Sequence, residues 1–287
     1  MTVTLLQTAR TASRKLSAVL ALTAAFGVGA AYVGAPALAD RRDAKDDATY
    51  SIKRVYKAGQ TDRYRISLKM NMDLPGTPLD IVETMFMKET TREAKDDGSA
   101  TVAFDFESVA VTANGMDMDM TAMMPKIITT LDKNGKTDVK LEGGSQEVTA
   151  QMGDQVKQFT NAAAALAPKK PVKVGDSWDL DAANFGAPGQ NVKGKATLVS
   201  VDTVKGVKIG RIKSVINITG AMDLAMHSES ITLVDFTTGK ALSLTSKSDG
   251  DIAGGKMSME MTMKMLGPDD KSDVKAAVKT DSSVKKP

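Results

Sequence analysis

Methionine occupies every second position from Met257 to Met265, and a polar residue stands between each pair. Side chains alternate between the two faces of a β-strand, so this period of two places five thioethers on one face and Ser258, Glu260, Thr262 and Lys264 on the other. Shorter runs of the same kind occur at Met70/Met72, Met85/Met87 and Met116/Met118/Met120. The pattern predicts a β-sheet protein with a methionine-rich apolar face.

Strand-like alternation recurs along most of the chain. It is clean over 63–73, and two further strand patterns at 82–94 and 100–113 flank a turn rich in Asp and Gly. A second series of strand patterns runs from 196 to 265. We therefore predict a mainly β (α+β) fold, either a curved antiparallel sheet or a half-barrel.

One segment breaks the β pattern. Between Val148 and Leu166 the apolar residues recur at steps of three and four, which predicts an amphipathic helix that ends before Pro168. We expect this central helix, 148–166, to join two halves, 49–147 and 171–267, of one β domain, and to lie against the concave face of its sheet. Both halves carry Met-x-Met runs, so the sequence leaves open whether they are a duplication.

The N-terminus has the layout of a secretory signal peptide. Basic residues precede an uncharged stretch rich in Ala, Leu and Val, and Ala37-Leu38-Ala39 forms a small-x-small cleavage site. We predict a signal peptide at 1–39, export to the periplasm or the extracellular space, and no stable membrane insertion after cleavage. The alternative is that the segment stays as a membrane anchor. The charged segments 40–48 and 268–287 are predicted to be a disordered leader and tail.

Cysteine usage and charge exclude several classes of protein. The chain has no cysteine, so it has neither disulfides nor the residue that carries the lipid of a bacterial lipoprotein. The three basic residues of the predicted signal peptide account for the formal charge of +3, which leaves 35 basic and 35 acidic residues. No basic patch is interleaved with aromatic residues, so we expect no nucleic-acid partner.

The methionine runs allow three interpretations. Methionine fills irregular gaps in cores, it can line a cavity for an apolar or lipid-like ligand, and its thioether is a soft ligand suited to Cu(I). Same-face neighbours on a strand are about 6.7 Å apart at Cα, so one ion could not engage five of them. The residues predicted as a lining for an apolar ligand are Met70, Met72, Met118, Met120, Met257, Met259, Met261, Met263 and Met265.

Signals for catalysis are weak. His227 is the only histidine, it stands in a strand pattern, and no Gly-x-Ser-x-Gly nucleophile elbow is present. Asp117 and Asp119 alternate with methionines and lack a loop that would gather them around a calcium ion. We therefore predict a protein that is not an enzyme, with no catalytic residue, no cofactor and no dedicated metal site.

The signal peptide, the long strands, the single helix and the run from Pro171 to Trp178, Pro-x-x-Val-Gly-Asp-Ser-Trp, resemble exported bacterial proteins of the DUF6263 type. More distantly, the layout is similar to the lipoprotein-carrier (LolA/LppX-like) half-barrels. That resemblance implies a curved sheet around an apolar cavity for acyl chains, and it implies no individual binding residue.

The leading functional hypothesis is an exported protein that binds an apolar or lipid-like ligand, or that docks another envelope protein, through a methionine-lined sheet face. The alternative is periplasmic binding of Cu(I) through the Met-x-Met runs. Trp178, the only tryptophan, is expected to begin a strand and to anchor the second half by burial.

Overall fold

The structure, a computed structural model, describes residues 48–74, 77–133, 136–146, 148–150, 152–153, 156, 167–183, 189–220, 224–252 and 254–267. The predicted signal peptide, most of the predicted leader and the predicted tail lie outside these residues, and so does the predicted helix beyond residue 156. The described residues include no helix with the length and apolar character needed to cross a membrane.

Twelve strands account for most of the regular structure in the described residues. In chain order they are β1 (Thr61–Leu74), β2 (Thr77–Ala94), β3 (Ala100–Ala113), β4 (Met116–Asp119), β5 (Lys126–Leu131), β6 (Thr137–Glu142), β7 (Ser177–Ala183), β8 (Asn191–Val204), β9 (Val207–Gly220), β10 (Leu224–Asp235), β11 (Lys240–Ile252) and β12 (Gly255–Leu266). A turn of 3-10 helix spans Thr121–Met123. Residues 146, 148–150, 152–153 and 156 are α-helical, and we call them the helical segment.

All of these strands belong to one antiparallel sheet with the order β6-β5-β3-β2-β1-β12-β11-β10-β9-β8-β7, and β4 pairs with β3 beside this path. The sheet therefore consists of two meanders, β1–β6 and β7–β12. Their first and last strands, β1 and β12, pair from Arg63↔Leu266 to Asp73↔Lys256. The sheet is curved and open, which confirms the predicted fold class.

One face of the sheet, which we call the inner face, carries most of the buried apolar side chains. Directly opposed residues form rows across the strands because the register keeps alternating side chains on the same side. One such row consists of Met85, Ile66, Met263 and Leu244. Three residues of the helical segment belong to the same core cluster and are fully buried: Val148, Met152 and Val156. The described part of the predicted helix is therefore helical and packs on the inner face, as expected.

A second core cluster lies under strands β7 to β10. Its buried members are Ile52, Val172, Leu180, Ala196, Leu198, Ile212 and Val234. Trp178, the second residue of β7, is partly buried against this cluster, as predicted. Tyr50 and Phe236 stack at its edge with ring centroids 4.8 Å apart.

Residues 48–60, which we call the strap, connect the two meanders. The amide of Val55 donates to the carbonyl of Thr238 in the β10–β11 turn (2.8 Å), and the amide of Gly59 donates to the carbonyl of Thr91 on β2 (2.9 Å). Because one end of the strap bonds to each meander, its docking depends on the relative placement of both.

The contact between the strap and the β10–β11 turn leaves no room for a side chain. Gly239 has φ +66, and a Cβ there would collide with the carbonyl group of Lys53. Gly206, in the β8–β9 hairpin, has φ +82 but no atom within 4 Å of the position a Cβ would take. The two glycines therefore separate the cost of the left-handed backbone from the cost of the collision.

We predict that Gly239→Ala destabilises the protein by clearly more than Gly206→Ala. The control should lose about 1–2 kcal/mol, the cost of a left-handed conformation for an L-residue, and Gly239→Ala should lose that amount plus the cost of displacing the strap. Urea unfolding monitored by circular dichroism measures both. Equal losses would show that the strap is not held against the turn.

Candidate functional site

The nine methionines predicted to line an apolar site lie in one cluster on the inner face, and we call them the methionine face. Met70, Met120, Met257, Met259, Met261 and Met263 are buried members of the main core. Met72, Met118 and Met265 are partly buried and pack against it. The structure brings all nine together, and their contact with a ligand stays a prediction.

Two pairs of these methionines are directly opposed across the β1–β12 pairing. Met70 faces Met259, and Met72 faces Met257. Directly opposed residues of an antiparallel pair have Cβ atoms about 4.5–5.5 Å apart, so each pair brings its thioethers into mutual reach. The apolar surface is therefore densest in sulfur near the Met72 end of β1.

On β10 and β11 the inner face carries buried serine hydroxyls beside the methionines. Ser246 and Ser248 lie directly opposite Met261 and Met259, and both are buried. Ser248 donates to Ser228 (2.8 Å), and the hydroxyls of Ser228 and Ser246 are 3.1 Å apart. The three hydroxyls satisfy one another, so they lie beside the methionines without requiring water.

The methionine face is covered. Met261 and Met263 are 3% and 2% exposed, and Met152 and Val156 of the helical segment share their cluster. Burial of a methionine side chain is favourable by roughly 1.5–3 kcal/mol. An apolar guest would therefore have to replace the protein atoms that now cover these side chains.

Two carboxyl groups on the inner face were not anticipated. Glu83 lies opposite Leu68 and Val111, and Glu89 lies opposite Asp62. Glu83 and Glu89 are 1% and 2% exposed. The alternation of β2 predicts that both side chains lie on the inner face, because Glu83 and Glu89 occupy odd-numbered positions of the strand, as Met85 and Met87 do.

Glu89 belongs to a buried ionic cluster that links the strap to both meanders. Arg54 of the strap pairs closely with Glu89, and its guanidinium lies 3.6 Å from the carboxylate of Asp62 on β1. Lys240 of β11 pairs closely with the same Asp62. The guanidinium also lies over the ring of Tyr56, 5.4 Å from its centroid. The charges of the two cations and the two carboxylates thus cancel. The cluster lies at the end of the inner face that is farther from Met72 and Met257.

Burial dominates the ionisation of this cluster. It raises the pKa of the phenols of Tyr56 and Tyr64 well above the usual range, and the Arg54 cation opposes the shift in both. Burial also raises the pKa of the Glu89 carboxyl, against the effect of Arg54. For Arg54 itself, burial lowers the pKa, but Glu89 and the phenols outweigh it and the net shift is upward.

Two candidates remain. His227 lies in β10 and is exposed, with Nδ1 3.0 Å from Oδ1 of Asn217. A groove of about 450 Å³ is lined by Met72 and Met257 of the methionine face together with Lys256 and four aspartates, Asp73, Asp80, Asp249 and Asp251. Within the described residues, no group of three or more His, Asp or Glu side chains is arranged to hold a metal ion.

We predict that Tyr56 and Tyr64 stay protonated in the folded protein well above pH 10, near which a free phenol ionises. Their raised pKa means that the unfolded phenols ionise first. The stabilising contribution is therefore complete below about pH 10 and is lost as the pH rises through the folded pKa. Ultraviolet difference spectroscopy should detect two late-ionising phenols, one of which disappears in Tyr56→Phe and the other in Tyr64→Phe. Ionisation of all tyrosines near pH 10 without unfolding would contradict the raised pKa of these two phenols.

Three solved structures match this chain with TM-scores below 0.5 and low sequence identity. A structure of lipovitellin, described for its lipid–protein interactions, matches with a TM-score of 0.48 and 8% identity over 74% of this chain and 26% of that chain. This chain thus spans about a quarter of lipovitellin. A Bacteroides fragilis protein with a YmcC-like fold matches with a TM-score of 0.30 and 9% identity over 77% of this chain and 100% of that one. The hypothetical lipoprotein YmcC from Escherichia coli gives 0.25 and 12%, over 75% and 91%.

The sequence matches no protein-family model, and it matches no curated protein sequence. The structural neighbours include proteins with a YmcC-like fold, and the distant similarity to lipoprotein carriers stays a prediction. The resemblance to the DUF6263 type stays a prediction.

Proposed function

We propose that this chain is an exported, non-enzymatic protein that binds an apolar or lipid-like ligand between the methionine face and the helical segment. The observation that carries the proposal is the continuous apolar surface that β1 and β12 form at the centre of the sheet. Five of its positions on β12 are methionine.

Methionine suits a face that accepts varied guests. Its side chain is unbranched and has a polarizable sulfur, so it adapts to irregular apolar shapes at low cost. A core selected only for rigidity would favour branched residues with well-defined rotamers. The choice of methionine at Met257, Met259, Met261, Met263 and Met265 therefore supports an exchangeable partner.

The cover of this face supports the same proposal. Val148, Met152 and Val156 belong to the helical segment and not to the sheet, whose strands are held together by continuous pairing. Local opening is easiest where few hydrogen bonds must break. A guest can therefore replace the helical side chains without breaking the sheet.

The first test is native mass spectrometry of the full-length protein purified without detergent, combined with solvent extraction of whatever it carries. We expect a mass excess that extraction removes, together with recovery of an apolar molecule of that mass. A single mass equal to that of the chain, and a dry interior that takes up no added lipid, would contradict the proposal.

The second test compares two double variants at the centre of the face. Met259→Gln/Met261→Gln adds polar groups and should weaken binding of an apolar fluorescent probe more than tenfold, because burying an unpaired amide is unfavourable. Met259→Leu/Met261→Leu keeps the apolar area and should bind within a few-fold of the wild type. Equal loss in both variants, or no loss in either, would place the probe elsewhere. Thermal unfolding checks that each variant is folded, and Met72→Gln at the half-buried end replaces the Gln pair if that pair is not.

A second candidate function is binding of Cu(I). The directly opposed pairs Met70/Met259 and Met72/Met257 favour it, since thioethers are soft ligands. Anaerobic titration of Cu(I) against a competing chelator tests it. Binding should be lost in Met70→Leu/Met72→Leu and kept in Met263→Leu, whose cross-strand neighbours Ile66 and Leu244 are not methionines. Affinity no better than millimolar would end this candidate.

A further inference from the structure

Arg54, Glu89 and Tyr64 together carry four buried polar atoms that have no hydrogen-bond partner among the described residues. They are Nε and Nη1 of Arg54, Oε2 of Glu89 and the hydroxyl of Tyr64. Arg54, Glu89 and Tyr64 are 5%, 2% and 0% exposed. A buried donor that has lost water and found no partner is unfavourable, so these atoms favour any molecule that can complete their bonds.

The missing partners are mainly acceptors. Nε of Arg54 carries one hydrogen, Nη1 carries two, and the Tyr64 hydroxyl carries one, whereas the free oxygen of Glu89 is one acceptor. The charges of Arg54 and Lys240 are already matched by Glu89 and Asp62. The cluster therefore lacks acceptor oxygens more than it lacks a counter-charge.

These donors lie at one end of the methionine face. Tyr64 is directly opposite Met265 on β12 and Met87 on β2. Further along β1 the same face continues through four rows: Ile66/Met263, Leu68/Met261, Met70/Met259 and Met72/Met257. Eight residues of strand span about 26 Å at about 3.3 Å per residue. One leaflet of a bilayer, half of about 30 Å, is shorter, so the stripe is long enough for an acyl chain.

We propose that the guest is a long-chain amphiphile whose head group presents acceptor oxygens, with its head between Arg54 and Tyr64 and its chain along the methionine face toward Met72 and Met257. This inference rests on the proposed function and specifies the class of ligand. Arg54 reaches the inner face from the strap, so the head group would be enclosed when the strap is docked. A donor-only head such as an ammonium group would leave the same four hydrogens unpaired.

The test uses three probes with the same chain and different heads, hexadecanoate, methyl hexadecanoate and hexadecylamine, on the full-length delipidated protein. Their affinities are measured by displacement of an apolar fluorophore. Hexadecanoate and its methyl ester should both bind about tenfold or more tightly than the amine, because a site of buried donors rejects a ligand that cannot accept. Binding of hexadecanoate alone would contradict the importance of acceptor atoms and would indicate recognition of charge instead.

Tyr64→Phe removes one donor and keeps the ring. It should weaken the two acceptor-headed probes by about five- to tenfold and leave the amine unchanged. Tyr50→Phe is the matched control, since Tyr50 stacks on Phe236 in the second core cluster, and it should change none of the three affinities. If Tyr64→Phe does not fold, the ranking of the probes on the wild type decides alone.

The outcomes distinguish a failure of the proposed function from a failure of this inference alone. If no probe binds, both the proposed function and this inference are wrong. If all three bind equally and Tyr64→Phe changes nothing, the methionine face binds chains but the four polar atoms are completed by buried water, and the inference alone is overturned.

Discussion

The pairing of β1 with β12 joins the two meanders into one sheet. These two strands lie at opposite ends of the described chain, yet they pair continuously from Arg63↔Leu266 to Asp73↔Lys256. Without this pairing the two meanders would each expose a long strand edge. Because closing so long a loop is costly in entropy, the pairing needs strong side-chain contacts to offset it. The methionines of β12 against the apolar side chains of β1 supply them.

The same pairing places two different chemistries on one surface. At one end of the inner face, the opposed methionines of β1 and β12 form a soft apolar patch. At the other end, Arg54, Asp62, Glu89 and Lys240 form a neutral ionic cluster that joins the strap to both meanders. Buried ion pairs are weak evidence for stability, since desolvation offsets their attraction. Their placement at the end of an apolar stripe is the basis for the proposal that they recognise a polar head group.

Much of this fold is readable in the sequence because the sheet is antiparallel and its signals are local. The predicted strand 100–113 coincides with β3, and the helical residues 148, 152 and 156 follow from their spacing. β4 was not predicted as a separate strand. It is four residues long, and Met116, part of its Met-x-Met run, is 66% exposed, so its alternation does not report burial.

The polar part of the candidate site was harder to predict. The parity of β2 alone would have placed Glu83 and Glu89 on the inner face. Arg54 lies in a segment with no regular structure, and its contacts with Glu89 and Asp62 arise only when the strap crosses the sheet. Such contacts depend on tertiary placement, which no local period encodes. The methionine face was predicted as a set, and the packing of the helix on the sheet was predicted from its amphipathic spacing.

The methionines themselves can report whether an acyl chain binds along the methionine face. With ¹³C-methyl methionine, each of the thioether methyl groups gives an NMR signal, and a stearate that carries a spin label broadens the signals near its chain. We predict broadening of Met70, Met257, Met259, Met261 and Met263, and unchanged signals from Met116 and Met123, which are 66% and 37% exposed. Broadening of the two exposed methionines with no effect on the methionine face would contradict this prediction.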